Sequence, residues 1–330
     1  MNKYFELTPE QQILVITQVA NKTGLPVQAI EKDLWVTTML QVVFALPLAE
    51  HLIFKGGTSL SKVWNVIQRF SEDIDLAINP SIWGFEGDLT KKQVKRLRKL
   101  SSVFVRDEFC QALKEAVAQF GLDKYLSIET DPDGEGDNTY PEPRVVHIKY
   151  HSLFDTVPYL HSEVKLEIGA RSLLEPTAKA KVKSIIQGTV PIETSIVDIE
   201  IPTAVAEKTF LEKAFLLHEL FSVEEGRYAN RKSRHLYDLA MMMKTDIASK
   251  AIADDDLWNT IHHHRETLTS MKGVDYTPDI RSRICLIPPT SIIKSWQDDY
   301  NDMRLAMIYG TAPTFEELIL EMKVLENQFK

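Results

Sequence analysis

The chain has 330 residues, of which 44% are hydrophobic and 26% charged, and its formal net charge is −9 at pH 7. This length allows two domains with a sizeable core, and the composition is ordinary for a globular protein. The negative charge argues against a surface that coats nucleic acid broadly, but it does not exclude a local basic groove. The two cysteines, Cys110 and Cys285, are too few for a disulfide framework and are typical of a reducing cytosol.

The beginning of the chain, MNKYFELTPEQQ, lacks the apolar stretch that a signal peptide needs. The uncharged run from Leu34 to Ala49 is shorter than the ~20 residues that cross a bilayer. It also contains Thr37, Thr38 and Gln41, and it therefore predicts a buried helix. We expect a cytoplasmic protein with no membrane segment.

Capping signals open the first helix. Thr8 is an N-cap residue followed by a proline and by Gln11, which predicts a helix to about Asn21 that stops near Gly24. A second helix is predicted from Val27 to Leu46.

The next segment predicts a strand, a glycine turn, a helix and a second strand. His51 to Phe54 is a short apolar strand before Gly56 and Gly57. From Thr58 the apolar residues recur at helical spacing, at Leu60, Val63, Trp64, Ile67 and Phe70. From Asp73 to Ile78 the pattern alternates, which indicates a half-buried strand with both aspartates on its polar face.

The remaining pattern predicts an α+β protein, with a mixed sheet in residues 1–200 and a helical domain in residues 201–330. The predicted elements are a helix from Thr90 to Phe120, a loop from Glu129 to Arg144, strands at Val145–Tyr150 and Glu163–Ile168, an irregular β-like stretch from Lys181 to Pro202, and helices at Thr203–Leu220, His235–Lys244, Asp256–Leu268 and Thr314–Phe329.

The glycine turn and the aspartate strand together predict nucleotide chemistry. Glycines at a strand-to-helix turn let the backbone approach a phosphate, and Thr58 and Ser59 add hydroxyl donors. Asp73 and Asp75 project from one strand face, where they can share Mg²⁺ ions that bridge a triphosphate and an attacking hydroxyl. Each motif alone is weak, but their combination in one strand–turn–helix–strand unit is specific.

The segment GGTSLSKVWNVIQRFSEDIDL, residues 56–76, resembles the signature of the AbiE-type toxins of bacterial type IV toxin–antitoxin systems, within the DNA polymerase β-like nucleotidyltransferases. The stretches Glu31–Trp35 and Arg231–Leu239 extend the resemblance to about residues 25–245. It implies a bilobed enzyme that binds a nucleoside triphosphate with Mg²⁺ and transfers a nucleotide to RNA, expected to be the 3′ end of a tRNA. It also implies a cognate antitoxin, encoded nearby.

A third carboxylate is expected on a neighbouring strand. In the stretch from Glu163 to Ile168 the polar face carries Glu163, Lys165 and Glu167. We choose Glu167 as the third metal-binding residue because the alternation around it is the most regular. The alternative is a solvated strand face with a Lys–Glu pair.

The helical half supplies further candidates. Lys208 is in line with Leu211 and Phe215 on an apolar stripe, so it either snorkels to solvent or points into a cleft. By resemblance, Lys208 contacts phosphate and Asp238 belongs to the nucleotide site, on a lobe that faces Asp73 and Asp75.

Two arginines are expected to bind phosphate on the same lobe. Arg231, Arg234 and Asp238 are spaced i, i+3 and i+7, which predicts one helix face. The resemblance assigns phosphate contacts to the arginines. An ordinary surface ion pair between Arg234 and Asp238 is the alternative.

A basic stretch is the candidate for RNA capture: Lys91, Lys92, Lys95, Arg96, Arg98 and Lys99. Such a run is also typical of a solvated helix face. Two other functions stay open, namely transfer to a small molecule or a protein hydroxyl, and a catalytically silent binding protein. The intact aspartate pair argues against the silent protein.

Overall fold

The computed structural model describes residues 3–71, 73–135, 139–155, 160–223, 231–310 and 312–330. The strands in this part of the chain are β1 (Leu52–Lys55), β2 (Asp73–Ile78), β3 (Leu126–Thr130), β4 (Arg144–Tyr150), β5 (Glu163–Gly169), β6 (Thr177–Ala180) and β7 (Ile201–Ala204). They form one seven-stranded sheet in the order β3-β4-β5-β2-β1-β7-β6. The sheet contains antiparallel pairs, such as β1 with β2, and parallel pairs, such as β2 with β5, so it is mixed. The predicted α+β class is confirmed.

The chain divides into two compact units. The first contains Met1–Val63 and Ser71–Thr203, and the second contains Trp64–Phe70 and Ala204–Lys330. The short segment Trp64–Phe70, called the strap below, is therefore part of the second unit although the sequence on both sides of it is part of the first.

The helices of the first unit are α1 (Pro9–Thr23), α2 (Val27–Phe44), α3 (Gly56–Lys62), α4 (Lys91–Phe104), α5 (Cys110–Gln119) and α6 (Ile185–Thr189). As predicted, α1 begins at a capping box formed by Thr8 and Gln11 and ends at Gly24, which has a left-handed backbone conformation. A π-helical turn, Val105–Phe109, joins α4 to α5, so the long helix predicted from Thr90 contains one irregular turn.

One face of the sheet forms the core of the first unit. Ile74, Leu76 and Ile78 of β2 are buried there, with Leu166 of β5 and Met39 of α2. Strand side chains alternate between faces, so this burial turns the aspartates of β2 to the opposite, polar face. The hydrophobic pattern thereby fixes the register that the site needs.

The second unit is helical. Its helices are α7 (Ala206–Phe221), α8 (Arg234–Met242), α9 (Ile247–Ala253), α10 (Asp255–His264), α11 (Ile293–Met307) and α12 (Phe315–Phe329). Aromatic side chains fill its interior; the rings of Phe215 and Trp258, for example, are 4.6 Å apart. Thr314 and Glu317 form the predicted capping box of α12.

Several predictions about elements were wrong. The helix predicted from Thr58 to Phe70 ends at Lys62, because Asn65 has a φ of 52° and Trp64 donates its indole N–H to the carbonyl of Ala204. The predicted loop begins too early, since β3 extends to Thr130, and residues 136–138 of that loop lie outside the described residues. The helices α9 and α11 were not predicted, and the helix α6 lies in the stretch from Lys181 to Pro202 that was predicted to be β-like.

Among the described helices, none has the length and apolar character needed to span a bilayer.

Candidate active site

The glycine turn is in direct contact with the aspartate strand. Gly56 has a φ of +79°, and a Cβ placed on it would be 1.9 Å from Oδ2 of Asp75. A side chain at this position is therefore excluded twice, by the left-handed backbone and by the carboxylate. The sequence places glycine here because Asp75 occupies the space that a side chain would need.

Thr58 and Ser59 strengthen the same junction. Both side chains are fully buried. The hydroxyl of Thr58 donates to the main-chain carbonyl of Asp73 and is 2.9 Å from Oγ of Ser71. The hydroxyl of Ser59 donates to the carbonyl of Gly56 at 2.8 Å. In this structure these hydroxyls hold the turn, so a phosphate contact from the turn would come from main-chain N–H groups.

The end of α3 is also anchored. Lys62, its last residue, forms an ion pair of 2.5 Å with Asp33 of α2, and both side chains are about nine-tenths buried. The second oxygen of Asp33 accepts the main-chain N–H of Ile185 at 2.7 Å. Asp33, in the stretch Glu31–Trp35, thus anchors the end of the helix that follows the glycine turn.

Strand register gathers the predicted carboxylates on the polar face of the sheet. Asp75 is paired with Lys55 of β1 on one side and with Glu167 of β5 on the other. Asp73 is paired with Lys165 of β5. Neighbouring strands are ~4.8 Å apart and paired residues share a face. The three carboxylates and two lysines are therefore neighbours, and each is partly exposed.

These carboxylates fit an open magnesium site. Within the described part of the chain, no three His, Cys, Asp or Glu side chains converge as a ready-made metal-binding group. Magnesium, however, is usually bound through one or two carboxylates together with substrate phosphates, and it prefers hard oxygen ligands. Asp73, Asp75 and Glu167 supply such ligands on one face.

The same polar face continues onto β4. The ring of His147 lies between two carboxylates, with Nδ1 2.7 Å from Glu163 and Nε2 2.9 Å from Asp131. Partial burial alone would lower the pKa of His147, but the hydrogen bonds to Asp131 and Glu163 outweigh it and raise the pKa above its usual value. This residue was not predicted to have a role.

In the second unit, Lys208 lies on α7 and is 0% exposed. Its ammonium group therefore does not snorkel to solvent, which leaves the buried alternative. The prediction that it faces the aspartate pair stays a prediction.

Asp238 lies on α8 and is also fully buried. It forms a bidentate ion pair with Arg69, with both N–O distances 2.7 Å, and a second ion pair of 2.9 Å with Lys213. Burial alone would raise the pKa of the Asp238 carboxyl, but Arg69 and Lys213 outweigh it and lower the pKa to about 2. The alternative of a surface ion pair with Arg234 therefore does not describe Asp238.

The predicted helix face of Arg231, Arg234 and Asp238 was wrong in one respect. The helix begins only at Arg234, and Arg231 precedes it with a φ of 60°. The carboxylate of Asp299 accepts the main-chain N–H groups of Arg231 and Ser233, at 2.8 and 3.0 Å, and so fixes the turn before α8.

The basic stretch forms the first turns of α4. Lys91, Lys92, Lys95, Arg96 and Lys99 are exposed. Arg98 differs, because its Nε donates to the carbonyl of Tyr140 at 2.8 Å. An amphipathic helix of this kind buries Leu97 and presents its cations to solvent.

Sequence reasoning missed the cations that flank the carboxylates. The alternation of β1 could have placed Lys55 on the polar face, and that of β5 did so for Lys165 without giving it a role. No pattern in the sequence pointed to the pairing of Arg69 and Lys213 with Asp238, because only the tertiary fold brings these residues together.

A mixed sheet with a glycine turn against an Asp-x-Asp strand, joined to a helical unit, has the organisation expected of a nucleotidyltransferase. The sequence model of the family described as "Nucleotidyl transferase AbiEii toxin, Type IV TA system" matches residues 39–320. The chain therefore belongs to the AbiEii family of nucleotidyltransferase toxins, whose systems pair a toxin with an antitoxin.

Among solved structures, the chain is similar to MenT4, a nucleotidyltransferase toxin from Mycobacterium tuberculosis H37Rv. The sequences are 13% identical, the TM-score is 0.44, and the match covers 95% of this chain and 97% of that chain. A comparison with curated proteins gave no match.

Proposed function

We propose that this toxin transfers a nucleotide from a nucleoside triphosphate to a hydroxyl of RNA, expected to be the 3′ end of a tRNA, in the cytoplasm. One observation carries the proposal: Asp75 is paired with Glu167 in register while its carboxylate lies against Gly56. Carboxylates thus adjoin a turn whose backbone a phosphate can approach.

Asp73, Asp75 and Glu167 would hold Mg²⁺, which when bound neutralises triphosphate charge and polarises the phosphoryl oxygen. The contacts of Thr58 with Asp73 and of Gly56 with Asp75 support this assignment, because they fix the aspartates relative to the turn. A rigid support of this kind reduces the reorganisation that would otherwise accompany the reaction.

The turn and the second unit would bind the nucleotide. We assign phosphate contacts to the backbone of Gly56, Gly57, Thr58 and Ser59. From the second unit we assign phosphate contacts to Lys208, Arg231 and Arg234. Full burial of Lys208 supports its inward orientation, because its ammonium group does not snorkel to solvent. Asp238 belongs to this part of the site as well, through the cations that it binds, Arg69 and Lys213.

The exposed cations of α4 support an RNA acceptor. The protein is acidic overall, so five exposed cations within nine residues form a distinct local patch. Such a patch attracts a polyanion within a Debye length of ~8–10 Å. We propose that α4 contributes to RNA capture.

The toxin's partner would be a cognate antitoxin encoded beside it. Finding a gene for a small DNA-binding regulator immediately upstream would support this part of the proposal.

Incubation with each labelled nucleoside triphosphate, Mg²⁺ and total RNA tests the proposed activity. We expect label in RNA of tRNA size, at its 3′ end, and none when Asp75→Asn replaces the parent protein. Label in a protein band or in a small molecule, with none in RNA, would instead support the alternative acceptors. No transfer with any triphosphate would favour the silent binding protein.

A further inference from the structure

Arg69 and Asp238 form one of the most buried ion pairs in the described chain. Their side chains are 1% and 0% exposed, and both guanidinium–carboxylate contacts are 2.7 Å. Such a bidentate pair is geometrically specific. Removing either residue would leave an uncompensated buried charge and so destabilise the fold.

The carboxylate of Asp238 is fully engaged by cations. One oxygen accepts Nε of Arg69, and the other accepts both a terminal nitrogen of Arg69 and the ammonium of Lys213 at 2.9 Å. The neighbouring His235 accepts a further hydrogen bond from Lys213 through Nδ1, at 3.2 Å. Both carboxylate oxygens of Asp238 are thus already occupied by protein cations in this structure.

Hydrogen bonds fix the strap around Arg69 within the second unit. The indole N–H of Trp64 donates to Ala204 at 3.0 Å, and the main-chain N–H of Phe70 donates to Met307 at 2.8 Å. Tyr309 donates in turn to the carbonyl of Gln68 at 3.1 Å.

The strap leads directly into the aspartate strand. Ser71 already belongs to the first unit, where its hydroxyl is 2.9 Å from that of Thr58. Asp73 follows Arg69 by four residues, so their Cα atoms are at most ~14 Å apart along an extended chain. Because so few residues separate Arg69 from β2, we expect a displacement of Arg69 to displace the beginning of β2.

We infer that Arg69 and Asp238 are a positioning pair, which acts on the reaction by fixing the strap and thereby the metal-binding aspartates of β2. Asp238 serves the site through Arg69 and does not itself touch the nucleotide. This inference rests on the proposed function, and it assigns to Arg69 a role in the site that the AbiEii match alone does not give.

A double-mutant cycle of Arg69→Gln and Asp238→Asn tests the pair, with transfer measured against both nucleotide and Mg²⁺ concentration. We expect each single variant to lower kcat about 30-fold, and the double variant to be no worse than the more affected single one. The KM for nucleotide should stay within about threefold of the parent, whereas half-saturation by Mg²⁺ should rise about fivefold.

A second buried ion pair of the second unit provides the matched control. Glu219 accepts hydrogen bonds from two guanidinium nitrogens of Arg265 and from the hydroxyl of Tyr276, and neither of these partners belongs to the strap. Glu219→Gln should lower the melting temperature but leave half-saturation by Mg²⁺ unchanged. An equal rise in that variant would show that general destabilisation, and not the strap, changes the metal requirement.

Two further results would overturn the inference. A large rise in the nucleotide KM for Asp238→Asn, absent from Arg69→Gln, would show that Asp238 contacts the nucleotide. Losses that add in the double variant would show that the two residues act separately. If Asp238→Asn does not fold, Arg69→Lys, which keeps the charge but not the bidentate geometry, must still raise half-saturation by Mg²⁺. A parent protein without transfer activity would refute the proposed function and not the pair.

Discussion

The Cα atom of Gly56 lies against the carboxylate of Asp75, in the space where any other residue would place its Cβ. The glycine turn and the aspartate strand are therefore two parts of one structure. A change at Gly56 displaces Asp75 directly, and this contact makes the site testable by a substitution that removes no functional group.

Gly56→Ala should inactivate the enzyme. The added Cβ would be 1.9 Å from Asp75 Oδ2, so the carboxylate or the turn must shift, and a misplacement of ~1 Å costs about 100-fold in rate. Gly24→Ala is the matched control, since Gly24 has a similar φ of +74° and no atom near its Cβ position. Both variants should lose about 1–3 kcal/mol of unfolding free energy from backbone strain, but only Gly56→Ala should lose activity. Equal activity in the two would refute the contact as a determinant of the site.

Asp73→Asn and Asp75→Asn should abolish transfer and growth inhibition while the fold stays intact. Loss of a metal-binding carboxylate removes several kcal/mol of transition-state stabilisation, which corresponds to about 10³-fold or more in rate. Asp123→Asn, on an exposed aspartate of the same unit, serves as the control. Circular dichroism and single-turnover transfer measure the two effects, and near-normal activity in either site variant would show that the assignment is wrong.

Glu167→Gln should raise the Mg²⁺ concentration needed for transfer, because Glu167 is the register partner of Asp75. Glu163→Gln is the comparison on the same strand face, where the carboxylate binds His147 instead. We expect about a tenfold rise in half-saturation for Glu167→Gln and no comparable change for Glu163→Gln. A Mg²⁺ titration of initial rates distinguishes the two, and identical titrations would leave Glu167 as an ordinary residue of a solvated strand face.

Replacing Lys91, Lys95, Arg96 and Lys99 with Gln should weaken RNA binding and flatten its dependence on salt. Each cation that neutralises a phosphate contributes to the slope of log affinity against log salt concentration. Arg98 is left in place because it bonds Tyr140, and its loss would disturb the fold. Triphosphate binding should be unchanged, since that site uses other residues. Filter binding from 50 to 300 mM salt measures the slope, and a slope equal to that of the parent would remove α4 from RNA capture.

His147 should stabilise the fold at low pH and not at high pH. Its pKa is raised in the folded state by Asp131 and Glu163, so protonation favours folding. This stabilisation is fully present below the unfolded pKa of about 6.5 and is lost as the pH rises through the higher folded value.

Urea unfolding of the parent and of His147→Gln at pH 5.5 and pH 8.5 measures this difference. The gap in unfolding free energy should be larger at pH 5.5, and Asp131→Asn should reduce it. A gap that is the same at both pH values would contradict the proposed linkage.

The sequence by itself determined the local elements of the site. Capping residues bounded α1, alternation placed Asp73 and Asp75 on one face of β2, and helical spacing put Lys208 in line with Leu211 and Phe215 on the apolar stripe of α7. These features depend on neighbours a few residues away, so periodicity and cap chemistry are sufficient to predict them.

Only the tertiary structure decided the partners of those residues. The pairing of Asp75 with Glu167 joins strands about 90 residues apart in the chain, and the contact of Asp238 with Arg69 spans 169 residues. Helical spacing also predicted the strap wrongly as part of a helix. Trp64 donates its indole N–H to the carbonyl of Ala204, and Phe70 donates its main-chain N–H to the carbonyl of Met307. Burial of a charge is set by the whole packed fold, and no local pattern in the sequence around Asp238 records which distant cations neutralise it.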